Sequence, residues 1–122
     1  MDELARWLGQ QLDEDERTAR AAHPVFLHWE YDDCVKEIRD FGNGNTLATG
    51  VLPHYGAFMH EHDPARVLRE IDAKRELLRQ YEHLKHEVMP DDMSGVFALE
   101  AVIRAHAQVY DTRPGYKESW RP

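Results

Sequence analysis

The sequence predicts an α+β fold in which a small three-stranded antiparallel sheet packs on three main helices, one of them long and central. Three observations predict it. Residues 2–21 space their apolar side chains as a helix does, residues 25–52 change to β-branched and aromatic residues around a Gly-Asn-Gly-Asn turn, and residues 63–111 return to helical spacing. A chain of 122 residues has room for one modest core, so a single domain over 1–122 is expected.

The opening segment predicts a helix over about 2–21. Leu4, Trp7 or Leu8, Leu12, Ala19 and Ala22 fall on one face, Asp2 caps the start, and Pro24 marks the latest point at which the helix ends. The acid run Asp13 to Glu16 precedes Arg17 and Arg20, which sets Asp13/Arg17 and Glu16/Arg20 four residues apart. Each such pair contributes roughly 0.3 kcal/mol.

From Val25 the pattern predicts strands at about 25–31, 34–40 and 46–52. Val25, Leu27, Trp29 and Tyr31 alternate onto one face, with Phe26, His28 and Glu30 on the other. Gly42 to Asn45 reads as a hairpin turn and resembles a phosphate loop only in glycine content; Asp32-Asp33 offers a second turn. So small a meander needs helices against its apolar face to be stable.

Pro53 stops the third strand, and the following HYGAFMHEHD predicts a short helix or helical turn. Asp63 then serves as N-cap and Pro64 as first residue of a long helix over about 63–88, ended by Pro90. Its stripe is Val67, Leu68, Ile71, Leu78, Tyr81, Leu84 and Val88, widened by Leu77. Asp91-Asp92 cap a last helix over about 92–111, with Val96, Leu99, Val102 or Ile103, His106, and Val109 or Tyr110 facing inward. Its alanines at 98, 101, 105 and 107 are expected to allow close approach to the long helix. Pro114-Gly115 breaks the pattern. The tail 112–122 carries Tyr116 and Trp120, which are expected to fold back, because large aromatics are seldom left exposed.

With 42% apolar and 31% charged residues and a mean hydropathy of -0.71, the chain has the composition of a folded globular protein. No apolar run approaches the roughly 20 residues that span a bilayer, and acidic residues occupy the place where a signal peptide is basic and apolar. A cytoplasmic location is expected. Cys34 is the only cysteine, which excludes an internal disulfide; in a strand it reads as a small buried hydrophobe. The formal charge of -8 disfavours binding to a phosphate backbone.

Among chemistry-bearing residues, histidine is in excess, with eight in the chain. His54, His60, His62, His83, His86 and His106 lie in the helical half, where three or four converging on zinc or another divalent metal would make a metal-binding protein or a metal-dependent hydrolase. No HExxH or CxxC run supports that alternative, and no nucleophile elbow or phosphate-cradling loop is present, so neither cofactor nor catalysis is expected. A second alternative is nucleic-acid contact through the basic edge of the long helix: Arg66, Arg69, Lys74, Arg75 and Arg79. The leading expectation is a non-catalytic protein that binds and regulates a protein partner, possible anchors being Trp7, Arg75, Arg79, Tyr81, Tyr116 and Trp120, with a homodimer through the long helix as one form.

The segments LARWLGQQLDEDERTARAA, HDPARVLREIDAKRELL and YDTRPGYKESWRP also resemble the small proteins of actinobacteria and their phages grouped as domain-of-unknown-function family 6221. The resemblance implies a phage or prophage setting and no mechanism. Proteins of that kind commonly carry a histidine four positions before His62, where this chain has Phe58. Several have cysteines between the last two helices, where this chain has His83, His86, Met89 and Met93. These departures weaken the metal alternative.

Overall fold

Four helices and a short sheet follow one another along the chain: α1 (Asp2–Ala22), β1 (Trp29–Asp32), β2 (Glu37–Asp40), β3 (Thr46–Ala48), α2 (Pro53–Glu61), α3 (Pro64–Glu87) and α4 (Ser94–Gln108), then a 3-10 turn at Glu118–Trp120. The structure is a computed structural model that describes residues 1–22, 27–87 and 92–122. The fold is α+β, and the long helix is present. The backbone groups into two compact units, Asp15–Ile71 on one side and Met1–Glu14 with Asp72–Pro122 on the other, with the boundaries falling inside α1 and α3.

In the unit Asp15–Ile71 the strands lie in the order β1-β2-β3, all antiparallel, with Trp29 opposite Asp40, Tyr31 opposite Ile38, and an irregularity at Ile38/Arg39. The strands are shorter than the sequence predicts, and each truncation has a local cause. Val25 and Phe26 lie outside the described residues. Leu27 is not in the ladder, and its carbonyl accepts the Ala65 N–H at the start of α3. β2 begins at Glu37 because residues 33–36 form a turn in which Asp32 Oδ1 accepts the Cys34 N–H and Lys36 takes a left-handed φ of 56°. Cys34 is therefore an exposed turn residue, which corrects the expectation of a buried one. β3 stops at Ala48, shortly before Gly50 turns the chain with φ 67°. Val51 is then buried outside the sheet.

The Gly-Asn-Gly-Asn segment is the expected hairpin turn: the Asp40 N–H donates to the Asn45 carbonyl, the Gly42 N–H donates to the buried Asp40 carboxylate, and Gly44 supplies a φ of 72°. α2 lies close against β1. A Cβ at Gly56 would overlap the Tyr31 ring, so this crossing requires glycine. The Tyr31 hydroxyl donates to the Val51 carbonyl at 2.6 Å.

α3 begins as the sequence predicts. The Arg66 N–H donates to Asp63 Oδ1 at 3.0 Å, which is the N-cap bond, while the Trp29 N–H donates to the other oxygen at 3.2 Å. Asp63 is buried, and both of its oxygens are engaged.

In the other unit the buried side chains are Leu4, Ala5, Trp7, Leu8 and Leu12 of α1, Tyr81 of α3, Val96, Ile103 and Ala107 of α4, then Tyr110 and Trp120. Of the three positions the sequence leaves open, Trp7 and Leu8 are both buried, while on α4 and just after it Ile103 and Tyr110 go inward and Val102 and Val109 stay in solvent. The alanines also divide. Only Ala107 is buried, while Ala98, Ala101 and Ala105 face out, and α4 approaches α3 instead at Gly95, where a Cβ would stand 3.1 Å from Leu84 Cδ2. Asp13 binds Arg75 at 2.7 Å, and Glu16 and Arg20 pair as expected at 3.1 Å.

The tail folds back. Trp7 Nε1–H donates to the Pro114 carbonyl at 3.1 Å, Gly115 takes φ 90° with its missing Cβ only 2.7 Å from Trp7 Nε1, and Lys117 pairs with Glu3 at 2.6 Å. Trp7, Tyr116 and Trp120 form an aromatic cluster with centroid separations of 5.4 to 5.9 Å. Among the described residues, no helix is long and apolar enough to cross a membrane.

Candidate functional site on the sheet and second helix

α2 has two dissimilar sides. One borders a polar cleft of about 480 Å³ with the sheet, lined by Glu30, Asp32, Asp33, Arg39, Ala57 and His60 around the Tyr31 ring. The other leaves Leu52, Tyr55, Phe58 and Met59 exposed at 53, 65, 65 and 37%. Leu52 caps the helix, and the spacing 52, 55, 58, 59 and 62 keeps these residues on one helical face. The His62 ring stacks on Phe58 with centroids 4.3 Å apart and extends the apolar face by one position. Burial of this helix comes through Gly56 alone, so its larger side chains have little core to enter.

In the cleft, the Arg39 guanidinium donates to Asp32 at 2.9 Å and to Glu37 at 2.8 Å. These bonds raise the Arg39 pKa, Glu37 contributing most. The Asp32 carboxyl is lowered, chiefly by the Cys34 N–H it accepts and then, against the cost of burial, by Arg39. Burial raises the Tyr31 phenol, and Asp33 and Asp32 add to the effect. His60 Nδ1 stands 2.7 Å from the Trp29 carbonyl. A carbonyl only accepts, so Nδ1 carries the proton and a neutral ring keeps its lone pair on Nε2.

Of the six candidate histidines, His54, His60 and His62 belong to the unit Asp15–Ile71 and His83, His86 and His106 to the other. Among the described residues, the one group of three or more His, Cys, Asp or Glu side chains with ligand atoms within 4.8 Å of one another is Asp32, Asp33 and Cys34, which holds no histidine. Both Asp32 oxygens there already accept hydrogen bonds, from Cys34 N–H and from Arg39. His54 is exposed on α2, His83 is exposed on α3, and His86 lies 3.8 Å from Glu82. His106 is held below its usual pKa by burial and, secondarily, by Lys74.

The basic edge of α3 is largely neutralised by its own neighbours. Arg66 pairs with Glu70 at 3.0 Å, Arg75 with Asp13 at 2.7 Å and Arg79 with Glu76 at 2.7 Å. Arg66 and Arg69 belong to one unit; Lys74, Arg75 and Arg79 belong to the other. Of the aromatic anchors expected from sequence, Trp7, Tyr81 and Trp120 are buried and Tyr116 is half-buried, so all four contribute to packing within their unit.

Sequence reasoning did not single out Leu52, Tyr55 and Met59, and it named Phe58 only as a departure from the family. A signal for them exists in the apolar spacing beside a glycine: Gly56 marks the side of α2 that touches the sheet, which sends Tyr55 and Phe58 outward.

The segments that carry the family resemblance perform structural roles here: HDPARVLREI holds the Asp63 cap, and GYKESWRP holds Gly115 and Trp120. A family model described as a family of unknown function (DUF6221) matches residues 1–122. The chain belongs to that family. No curated protein and no solved structure matches it. In this member, position 58 is a phenylalanine stacked on His62, so the two positions form an apolar contact.

Proposed function

We propose that this protein is a small non-catalytic factor of phage or prophage type that works in the cytoplasm by binding and regulating a host or phage protein. The observation that carries the reading is the outward face of α2, where Tyr55 and Phe58 are each 65% exposed beside Leu52 and Met59. Exposed aromatics and methionine on one rigid face are the residue types enriched at protein interfaces, and aromatic side chains bring large apolar area at low conformational cost. A contiguous apolar patch of this kind is rarely left on a monomer without a use. The net charge of -8 and the internal pairing of Arg66, Arg75 and Arg79 favour a protein over a nucleic acid as partner.

The test is affinity capture from the native host with mass spectrometry, run in parallel on the wild type and on the double variant Tyr55→Ser, Phe58→Ser. One stoichiometric protein retained by the wild type and lost by the folded variant supports the reading. Recovery of the same protein by both, or of no protein by either, overturns it.

A further inference from the structure

We infer that the partner surface covering α2 is basic, and that it sets an arginine or lysine side chain into the cleft between α2 and the sheet; this rests on the reading above. The cleft and the apolar face of α2 both belong to the unit Asp15–Ile71. Charge complementarity selects the partner's chemistry.

The donors that line the cleft are already engaged. Arg39 is held by Asp32 at 2.9 Å and by Glu37 at 2.8 Å, and the Tyr31 hydroxyl donates to the Val51 carbonyl. The groups left open are acceptors. The carboxylates of Glu30 and Asp33 line the cleft, are exposed, and have no ion pair or hydrogen bond among the described residues. His60 directs Nδ1–H to the Trp29 carbonyl, so its neutral ring offers the Nε2 lone pair. Two carboxylates and a ring nitrogen without donors of their own fit a cation that carries several N–H groups, as a guanidinium or an ammonium does. A carboxylate or phosphate placed there would meet like charge.

The cleft lies within reach of a partner seated on the apolar face. Ala57 lines the cleft and Phe58 belongs to the apolar face; between them on the helix surface lie His54 and Glu61, and all four are exposed. One residue step turns a helix by about 100°, which on a cylinder roughly 10 Å across is an arc of about 9 Å. A long basic side chain at the margin of the contact spans such a ridge with its apolar stem and carries its charged head into polar surroundings. The ridge favours the same sign of partner. α2 contains no lysine or arginine, and Arg66 is shared between Glu61 and Glu70, which leaves this margin negative.

The experiment titrates N-acetyl-arginine amide into the full chain and follows the backbone amides by NMR, with N-acetyl-citrulline amide as the uncharged control of similar shape. The expected result is a saturable shift at Tyr31, Ala57 and His60 with the arginine derivative and none with citrulline. The double variant Glu30→Gln, Asp33→Asn is expected to stay folded, because both side chains are exposed, and to weaken both this response and the affinity of the captured protein about fivefold or more, the size that losing two exposed ion pairs implies. No shift in the cleft, an equal shift with citrulline, or an unchanged response in the variant overturns the inference. If the captured protein is lost with Tyr55→Ser, Phe58→Ser but held at full affinity by Glu30→Gln, Asp33→Asn, the inference falls and the reading above stands. If no protein is captured at all, that reading falls and takes this inference with it.

Discussion

The buried carboxylate of Asp63 accepts the backbone N–H of Trp29 through Oδ2 while Oδ1 caps α3 at Arg66. One side chain thus fixes where the long helix starts and where β1 begins. Asp63→Ala removes both acceptors and leaves two amides without them, and is expected to cost about 1–3 kcal/mol of stability. Asp63→Asn retains a capping oxygen and is expected to cost less. Urea denaturation followed by circular dichroism measures both, and equal losses for the two variants would contradict this role.

The contact between Tyr31 and Gly56 sets the approach of α2 to the sheet. Gly56→Ala puts a methyl group into the Tyr31 ring and is expected to destabilise the unit by about 1–3 kcal/mol, as overpacking does. Tyr31→Phe, which removes only the bond to the Val51 carbonyl, is expected to cost about 1 kcal/mol. A neutral Gly56→Ala in thermal unfolding would show that the crossing has room to adjust.

The start of α3 was legible because it rests on local chemistry, Asp63 and Pro64, as was the hairpin turn with the glycines and asparagines of 42–45. The last helix was less so: it runs Ser94–Gln108 rather than 92–111, with Met93 as its N-cap and no side-chain cap bond, while Asp91 and the expected stops Pro24 and Pro90, with Val88, lie outside the described residues. Strand ends were less legible. The use of the Leu27 carbonyl by α3 and the left-handed Lys36 are tertiary and conformational facts with no pattern in the residues themselves. The choice between Val102 and Ile103, and between Val109 and Tyr110, was open for the same reason, since adjacent apolar residues fit a helical stripe equally well. The candidate site was least legible. Trp7, Tyr81 and Trp120 drew attention by size and are core, whereas Tyr55 and Phe58 sit in a short helix whose outward face depends on Gly56 meeting Tyr31.

Trp120 closes the tail over Trp7. Trp120→Ala is expected to cost about 3–5 kcal/mol, the usual loss for a buried large aromatic, and to release the tail to proteolysis. Gly115→Ala acts on the same clasp by a different route, through a φ of 90° that disfavours a side chain and through the nearby Trp7 indole. Limited proteolysis with intact mass analysis detects both, and a tail as resistant as in the wild type would contradict the fold-back role.

His106 predicts a pH dependence with a definite sign. Burial and then Lys74 hold its folded-state pKa below the usual 6.5, so as pH falls through about 6.5 the unfolded chain takes up a proton that the folded chain does not. The stability that the neutral ring provides is complete above that pH and declines from there down to the folded value. His106→Gln is expected to flatten the denaturation midpoint across this window relative to the wild type. An unchanged slope would assign the dependence to other groups.

The central claim is that the aromatic face of α2 contacts a protein. Its most direct measurement is a calorimetric titration of the captured partner into purified wild type and into Tyr55→Ser, Phe58→Ser, with circular dichroism confirming that the variant is folded. The expected result is saturable binding by the wild type, weakened at least a hundredfold in the variant, as loss of about 3 kcal/mol at two interface anchors implies. Equal affinity for the two proteins would contradict it.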